Sequence, residues 1–341
     1  MIYRSKAPLR IGLAGGGTDV SPYCDLYGGA ILNATISLYA YASIELLPVP
    51  EIIIEAVDRD EMISYEMADQ LPLTGTLDLA VGAYNYIVEK YGPVPSGFKL
   101  STIADAPAGS GLGSSSTVMV AIIGAFAEWL NLPLGEYDIA QMAYDIERGA
   151  LGMAGGKQDQ YAATFGGVNF MEFYKDNKVI VNPLRIRPQH MYELENNLLL
   201  YFTATSRLSS TIIAAQSQNV KDRNKESIDA MHHLKEQAQM MKEALLKGNI
   251  HDIGGILDFG FRYKKQMAKG ISNDAMDEIY ETALKAGATG GKISGAGGGG
   301  FMMFYCPGNT RYTVKKELHR FGGEFSNYQF TERGLFSWSV K

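Results

Sequence analysis

Pro107-Ala108-Gly109-Ser110-Gly111-Leu112-Gly113-Ser114-Ser115-Ser116-Thr117 is the stretch on which the reading turns. Three glycines alternate with other residues and lead straight into Ser114 to Leu130, a segment apolar nearly all round, which predicts a buried helix. Glycine adopts positive φ freely and lets backbone approach a ligand closely. Free N–H groups of such a loop and of the first helical turn converge on one point, where the helix dipole favours an anion. Chemically this is a phosphate cradle; a flexible turn with a serine N-cap is the alternative. It is not a Walker A loop, because no Gly-Lys-Ser/Thr follows. Nor is the G-x-G-x-G spacing, with Pro107 before and three serines behind, a dinucleotide fingerprint.

Two further glycine clusters flank this one. Arg10-Ile11-Gly12-Leu13-Ala14-Gly15-Gly16-Gly17-Thr18-Asp19 follows a strand, and Lys292-Ile293-Ser294-Gly295-Ala296-Gly297-Gly298-Gly299-Gly300 separates strands expected at Thr289–Ile293 and Phe301–Tyr305. Taken singly, each could be only a tight turn. Glycine reaches 38 in 341 residues, about 11% against a usual ~7%, and the clustering points to sites built from backbone.

Outward from these clusters the chain mixes strands and helices. Ala30–Leu47 reads as a strand ending at Pro48-Val49-Pro50, with Ile52–Val57 as its hairpin partner. Helices are expected at Leu77–Tyr91 and Tyr137–Arg148, and a short strand at Phe98–Ile103. A strand pair, Gly167–Phe173 and Lys178–Val181, precedes a polar stretch around Asn182 to His190 that offers a domain boundary. Beyond it come a buried strand at Leu198–Thr203, helical sequence at Thr211–Leu246, helices at Asp274–Ala286 and Thr313–Arg320, and a final strand after Gly322-Gly323. The class is α+β or α/β in two lobes.

The net charge is 31 − 37 = −6. That excludes a protein that coats nucleic acid, but not one that binds a small anion through local positive charge. Cys24 and Cys306, far apart, form neither a disulfide framework nor a zinc site. The first residues contain no signal-like apolar region, and the longest apolar stretch, Val118 to Ala127, is far below the ~18 residues of a membrane span. A soluble cytoplasmic protein is expected, with neither nucleic acid nor membrane as partner. Hydrolase chemistry is disfavoured: no glycine cluster contains Gly-x-Ser-x-Gly, and His190, His232, His233, His251 and His319 lie outside them.

The three clusters, in this order, resemble those of the GHMP kinase superfamily. Pro107–Thr117 is similar to its Pro-x-x-x-Gly-Leu-Gly-Ser-Ser loop, and Lys292–Gly300 to its C-terminal glycine motif. Arg10 and Asp19 keep the separation of the Arg and sugar-binding Asp of galactokinases, with Thr18 before the Asp; Gly16-Gly17 stands where those enzymes carry Glu-His. Leu9–Asp19 and Gly155-Gly156-Lys157-Gln158-Asp159-Gln160 resemble the heptose 7-phosphate kinases of bacterial GDP-heptose pathways, with L-fucokinases as near relatives.

That resemblance implies a two-lobed α+β fold. A ribosomal-protein-like N-terminal lobe (1–185) would bind ATP, and a ferredoxin-like C-terminal lobe (186–341) would complete the sugar site. It implies ATP and Mg2+ as cofactors and a sugar or sugar phosphate as acceptor. Asp159 would be the catalytic Asp and Arg10 its basic partner. Pro107, Gly109, Ser110, Gly111, Leu112, Gly113, Ser114, Ser115 and Ser116 would cradle the nucleotide phosphates. Ser115 and Glu147 would hold Mg2+, a sparse donor set that phosphates and water complete. Gly17, Thr18, Asp19, Ser294, Gly295, Gly297 and Gly298 would contact the sugar. On charge grounds we add Lys157 and Arg207 as candidates for a phosphate on the substrate. Less specific roles remain open: a helix cap for Asp159, an ion pair with Arg148 for Glu147, an N-cap for Ser115, an Asx-turn for Asp19 and solvated surface for Lys157 and Arg207. Some members of the superfamily are sugar sensors without catalysis; the joint presence of Asp159, Arg10, Glu147 and Ser115 favours an enzyme.

Overall fold

The computed structural model describes residues 1–203 and 209–341, so Arg207 lies outside the described residues. The chain opens on a long antiparallel pair, β1 (Ile2–Ala14) and β2 (Gly29–Leu46), separated by the single helical turn α1 (Tyr23–Tyr27). Strand β2 is the spine of the first sheet. Ala40 to Leu46 pair with β5 (Phe98–Ala104), and Gly29 to Ala34 pair with β6 (Val168–Phe173). Beyond β5 lies β3 (Glu51–Ala56), parallel to it, then β4 (Glu61–Glu66); β7 (Val179–Pro183) extends β6.

The expected hairpin between β2 and β3 is therefore corrected: β5 stands between them. Alternation of buried Ile52, Ile54 and Ala56 marks the face of β3 that meets the core, not the neighbour at its edge. The crossover that makes β3 and β5 parallel carries the helix α2 (Asp78–Tyr91).

The segment Ser114–Leu130 is the helix α3, lying across β1 and β2 as expected from its composition. Met119, Val120, Ile122, Ile123 and Phe126 are all fully buried. At ~1.5–3 kcal/mol per fully buried large apolar side chain, the helix is a rigid mount for the loop before it. The next helix, α4 (Glu136–Tyr144), widens into a π-helical turn, Asp145–Ala150, where one α-helix was expected. This turn buries Ile146 and Glu147 together, and π-turns concentrate at functional sites because they re-aim side chains. Helix α5 (Gln158–Phe165) follows.

The second sheet is antiparallel, in the order β11 (Glu324–Ser326), β8 (Leu198–Phe202), β10 (Phe301–Tyr305), β9 (Gly290–Ile293). Around it run α6 (Pro188–Asn197), α7 (Ser209–Lys221), α8 (Lys225–Lys247), α9 (Ile253–Met267), α10 (Asp274–Lys285) and α11 (Thr310–Leu318). Helix α6 begins in the polar stretch read as a boundary, with proline at its start. Helix α9 is missing from the sequence reading because Gly254, Gly255 and Gly260 depress helix propensity. Two of those glycines are there for contact: a Cβ on Gly254 would strike Thr289, and one on Gly260 would strike Gln237.

The last strand, β12 (Phe336–Val340), also escapes the sequence reading; it returns to the first sheet and pairs with β1, Ile2 opposite Val340 through Lys6 opposite Phe336. A boundary near residue 185 thus divides the sheets but not the end of the chain. The two lobes share apolar core: Leu9, Ile11 and Leu13 of β1 pack with Met241 and Leu245 of α8, Leu257 of α9 and Met303 of β10. Arg10 lies between Leu9 and Ile11, and strand alternation turns it the other way, into the cleft between the lobes. Among the described residues no helix is long and apolar enough to cross a membrane.

Candidate active site

Gly109, Gly111 and Gly113 have φ of 76°, 82° and 80°, a region that costs other residues ~1–2 kcal/mol. Gly113, not a serine, is the N-cap of α3. Ser110 and Leu112 face inward: the Ser110 hydroxyl bonds with that of Ser114 at 3.1 Å, and Leu112 sits in the inter-lobe core. Ser110 and Leu112 are thus behind the loop and Pro107 is exposed at its start, while Gly109, Gly111 and Gly113 to Ser116 line a cleft of about 1140 Å³.

The third cluster folds onto this loop from the other lobe. Ser294 Oγ donates to the Gly111 carbonyl at 2.8 Å, and Phe301 N–H donates to the Ser110 carbonyl at 2.9 Å. Only Gly295 and Ala296 of this cluster reach the cleft. Of the residues expected to contact substrate, Ser294 instead holds the seam, while Gly297 and Gly298 pack within their own lobe, where Gly298 N–H donates to the Ile271 carbonyl at 2.8 Å. Gly295 and Gly300, both at positive φ, make the tight approach between lobes, since a Cβ on either would strike backbone of the Gly109–Gly111 loop.

Arg10 and Asp159 meet as the motifs imply. Arg10 Nε donates to Asp159 Oδ1 at 2.7 Å, Nη2 lies 2.6 Å from the same oxygen, and Nη1 donates to the Gly111 carbonyl at 2.6 Å. The guanidinium therefore ties the carboxylate to the glycine loop. Asp159 does not cap α5; that task falls to Asp19, whose Oδ2 accepts from the N–H groups of Lys157 (2.8 Å) and Gln158 (3.0 Å). In place of the Asx-turn left open for Asp19 there is this long-range cap, and Asp19, expected on the sugar, stands in the cleft wall. Burial pushes its carboxyl above the usual range, backbone N–H bonds oppose that, and the Asp159 charge adds to it. Thr18, expected on the sugar, is fully buried and spends its hydroxyl on Gly15 and Ala30 carbonyls and the Ala30 N–H.

Glu147 is fully buried yet borders the cleft. It accepts from Ser115 Oγ (3.4 Å), Ser116 Oγ (3.1 Å) and Gln160 Nε2 (2.5 Å), with Arg148 Nη1 at 3.8 Å. Burial raises its carboxyl above the usual range against the pull of Arg148 and these hydrogen bonds. The ion pair with Arg148 is thus real but long, and the hydroxyls are the closer partners.

Lys157 is neither solvated nor in the cleft wall: it is 1% exposed, its ammonium 5.3 Å from the Tyr144 ring centroid. Two other cations face the first glycine cluster and escaped the sequence reading. Lys292 Nζ donates to the Gly12 carbonyl and Lys264 Nζ to the Gly295 carbonyl, both at 2.6 Å. Lys264 had one readable signal: it sits three to seven residues from Leu257, Gly260, Phe261 and Met267, on the buried stripe of α9.

The arrangement sets a carboxylate, clamped by a guanidinium, against a loop of free N–H groups, with a second carboxylate and hydroxyls beside it. Such a cleft can hold a polyphosphate and accept a hydroxyl proton next to it. Comparison with known proteins agrees with that chemistry. The GHMP kinases N terminal domain matches residues 78–167, and the GHMP kinases C terminal domain matches residues 241–324. A D-glycero-alpha-D-manno-heptose 7-phosphate kinase of Campylobacter jejuni is 46% identical over 337 residues, 99% of each chain. The crystal structure of a D-glycero-D-manno-heptose 1-phosphate kinase from Bacteroides thetaiotaomicron is 44% identical, covers 99% of both chains and superposes with a TM-score of 0.85. A bifunctional fucokinase/GDP-fucose pyrophosphorylase of Arabidopsis thaliana is 27% identical over 98% of this chain but 32% of its own.

Proposed function

The chain belongs to the GHMP kinases, and from that premise we propose that it phosphorylates the anomeric hydroxyl of D-glycero-D-manno-heptose 7-phosphate with ATP, giving the 1,7-bisphosphate. The observation that carries the reading is the Arg10–Asp159 pair held against the Gly109–Ser116 loop, in a chain 46% identical from end to end to a kinase of that name. In this reading Asp159 accepts or orients the proton of the anomeric hydroxyl. The hydroxyl oxygen bonds to the γ-phosphorus as the bond to the β-phosphate oxygen breaks, releasing ADP. Arg10 steadies the carboxylate and offsets charge gathering on the transferring group. Asp19 acts through α5, fixing the helix that carries Asp159.

Ser115 and Glu147 are the residues that would hold Mg2+. They fit it, since Glu147 is a buried carboxylate whose nearest partners are neutral donors. When bound, the ion would neutralise phosphate charge. Glu147→Gln tests this with two readouts. Because burial raises the Glu147 carboxyl above its ordinary 4.5, the folded state binds that proton more tightly than the unfolded chain. Stability is thus lost as pH rises above 4.5, through the folded value. The glutamine variant avoids that loss. It should melt no lower than wild type at pH 7, with the difference vanishing towards pH 4.5. Its kcat should fall about 100-fold, with a higher Mg2+ requirement. A lower melting temperature at pH 7 would mean that the lost carboxylate bonds outweigh the burial cost.

A second acceptor is raised by the name of the Bacteroides enzyme, a heptose 1-phosphate kinase, and a third by the fucokinase resemblance. ATP consumption should be followed with heptose 7-phosphate, heptose 1-phosphate, the unphosphorylated heptose and L-fucose, and the product identified by phosphorus NMR. Turnover on the 7-phosphate with a new anomeric phosphate is expected. Turnover confined to any one of the other three sugars would replace the acceptor, and none on any would favour a sensor.

A further inference from the structure

Gly16-Gly17 stands where galactokinases carry two side chains, and here the space is filled from the other lobe. A Cβ built on Gly16 would lie 3.5 Å from Lys264 Nζ, and one built on Gly17 would strike Met267 Cε at 2.6 Å, with Gln216 Oε1 beyond it at 3.6 Å. Lys264 and Gln216 line the cleft, alongside Arg10, Asp19 and Asp159, and each is only 2% exposed. Lys264 donates once, to the Gly295 carbonyl, and has no carboxylate within ion-pair distance among the described residues. Gln216 Nε2 is buried with no hydrogen-bond partner among the described residues. A buried ammonium and a buried amide donor left without anionic or acceptor partners are costly unless a ligand satisfies them. The acceptor-rich group that suits both is a phosphate.

Lys157, whose ammonium is also buried with no hydrogen-bond partner among the described residues, lies over Tyr144 and does not line the cleft, so it is less well placed. Resting on the function proposed above, we propose that Lys264, assisted by Gln216, holds the phosphate that the sugar already carries and so selects a phosphorylated over an unphosphorylated heptose. Asp159 lies against Gly113 and Lys264 against Gly16 and Gly295, and both line the one cleft. The charge of Lys264 is itself conditional. Burial, and the charge of Arg10, lower it to about 8, with Asp19 opposing; Lys292 is the further cation facing it. Its ammonium is lost as pH rises through that range, so kcat/KM for the phosphorylated sugar should fall above pH 8 in wild type and not in Lys264→Arg.

The test compares wild type, Lys264→Met, Lys264→Arg and Gln216→Leu on heptose 7-phosphate and on unphosphorylated heptose, using inhibition where the latter is not turned over. Lys264→Met should raise KM for the phosphorylated sugar about 100-fold, with kcat and the affinity for plain heptose within about threefold. Lys264→Arg should recover most of the affinity, and Gln216→Leu should cost about tenfold on the phosphorylated sugar alone. Methionine matches lysine in length and removes a buried charge, so the fold should survive. Should it not, Gln216→Leu decides by the same split. Equal effects on both sugars, or none, would overturn the assignment and leave Lys264 a strut between lobes. Wild type inert on heptose 7-phosphate would instead sink the function proposed above.

Discussion

Asp159→Asn is expected to lower kcat by about three orders of magnitude while moving KM for either substrate by no more than a few fold. The side chain keeps its shape and its place on α5, because Asp19 and not Asp159 caps that helix. What is lost is an acceptor for the hydroxyl proton and the negative partner of Arg10. Arg10 is 4% exposed and Asp159 23%, so solvent screens the pair only in part, and its loss should cost about 1–2 kcal/mol. Arg10 retains the Gly111 carbonyl, which keeps the guanidinium near its place. Single-turnover rates and urea melts on the same preparation separate the two effects. A kcat within tenfold of wild type would remove Asp159 from the chemistry and leave it a positioning residue.

Gly111→Ala should be the more damaging change to the fold. Gly111 has φ of 82°, and a Cβ there would lie 2.6 Å from the Ser294 carbonyl oxygen. The residue meets two penalties at once, the left-handed backbone and a collision with backbone of the opposite lobe. Together they should cost about 3 kcal/mol or more. The collision would push apart the loop and the third glycine cluster, and with them the carbonyl that Arg10 and Ser294 share. A loss of about 100-fold in kcat/KM is expected, since small misplacements of a phosphate cradle are amplified in the rate. Gly75→Ala is the control. Gly75 has φ of 87° but nothing within 4 Å of the added carbon, so it should cost only about 1 kcal/mol and no activity. Equal destabilisation of the two variants would show that the seam between lobes yields easily.

How much of this was readable beforehand varied by residue. The helix after the phosphate loop was legible because an apolar run with no charge before Glu128 can only be buried. Arg10, Asp159, Ser115 and Glu147 were placed by motif resemblance, and they meet within one cleft. The neighbours of β3 were not legible, since alternation reports a face and not an edge. Thr18 and Ser294 carry the right chemistry in the right motif, yet their hydroxyls are spent on backbone carbonyls. No local pattern announces which hydroxyl in a glycine cluster turns inward.

By itself the sequence determined where backbone must bend and where it must bury: the positive-φ glycines, the helix they start and the apolar strands around them. These are local consequences of missing Cβ atoms and of hydropathy, and they survive without knowing any neighbour. Which cation lines the cleft was decided only in three dimensions. Lys157, two residues from Asp159, is turned behind the cleft over Tyr144, while Lys264, more than a hundred residues from it, is brought in by the packing of α9 against the first glycine cluster. A charge's partner depends on the side on which its element is buried, and that is a property of the assembled core.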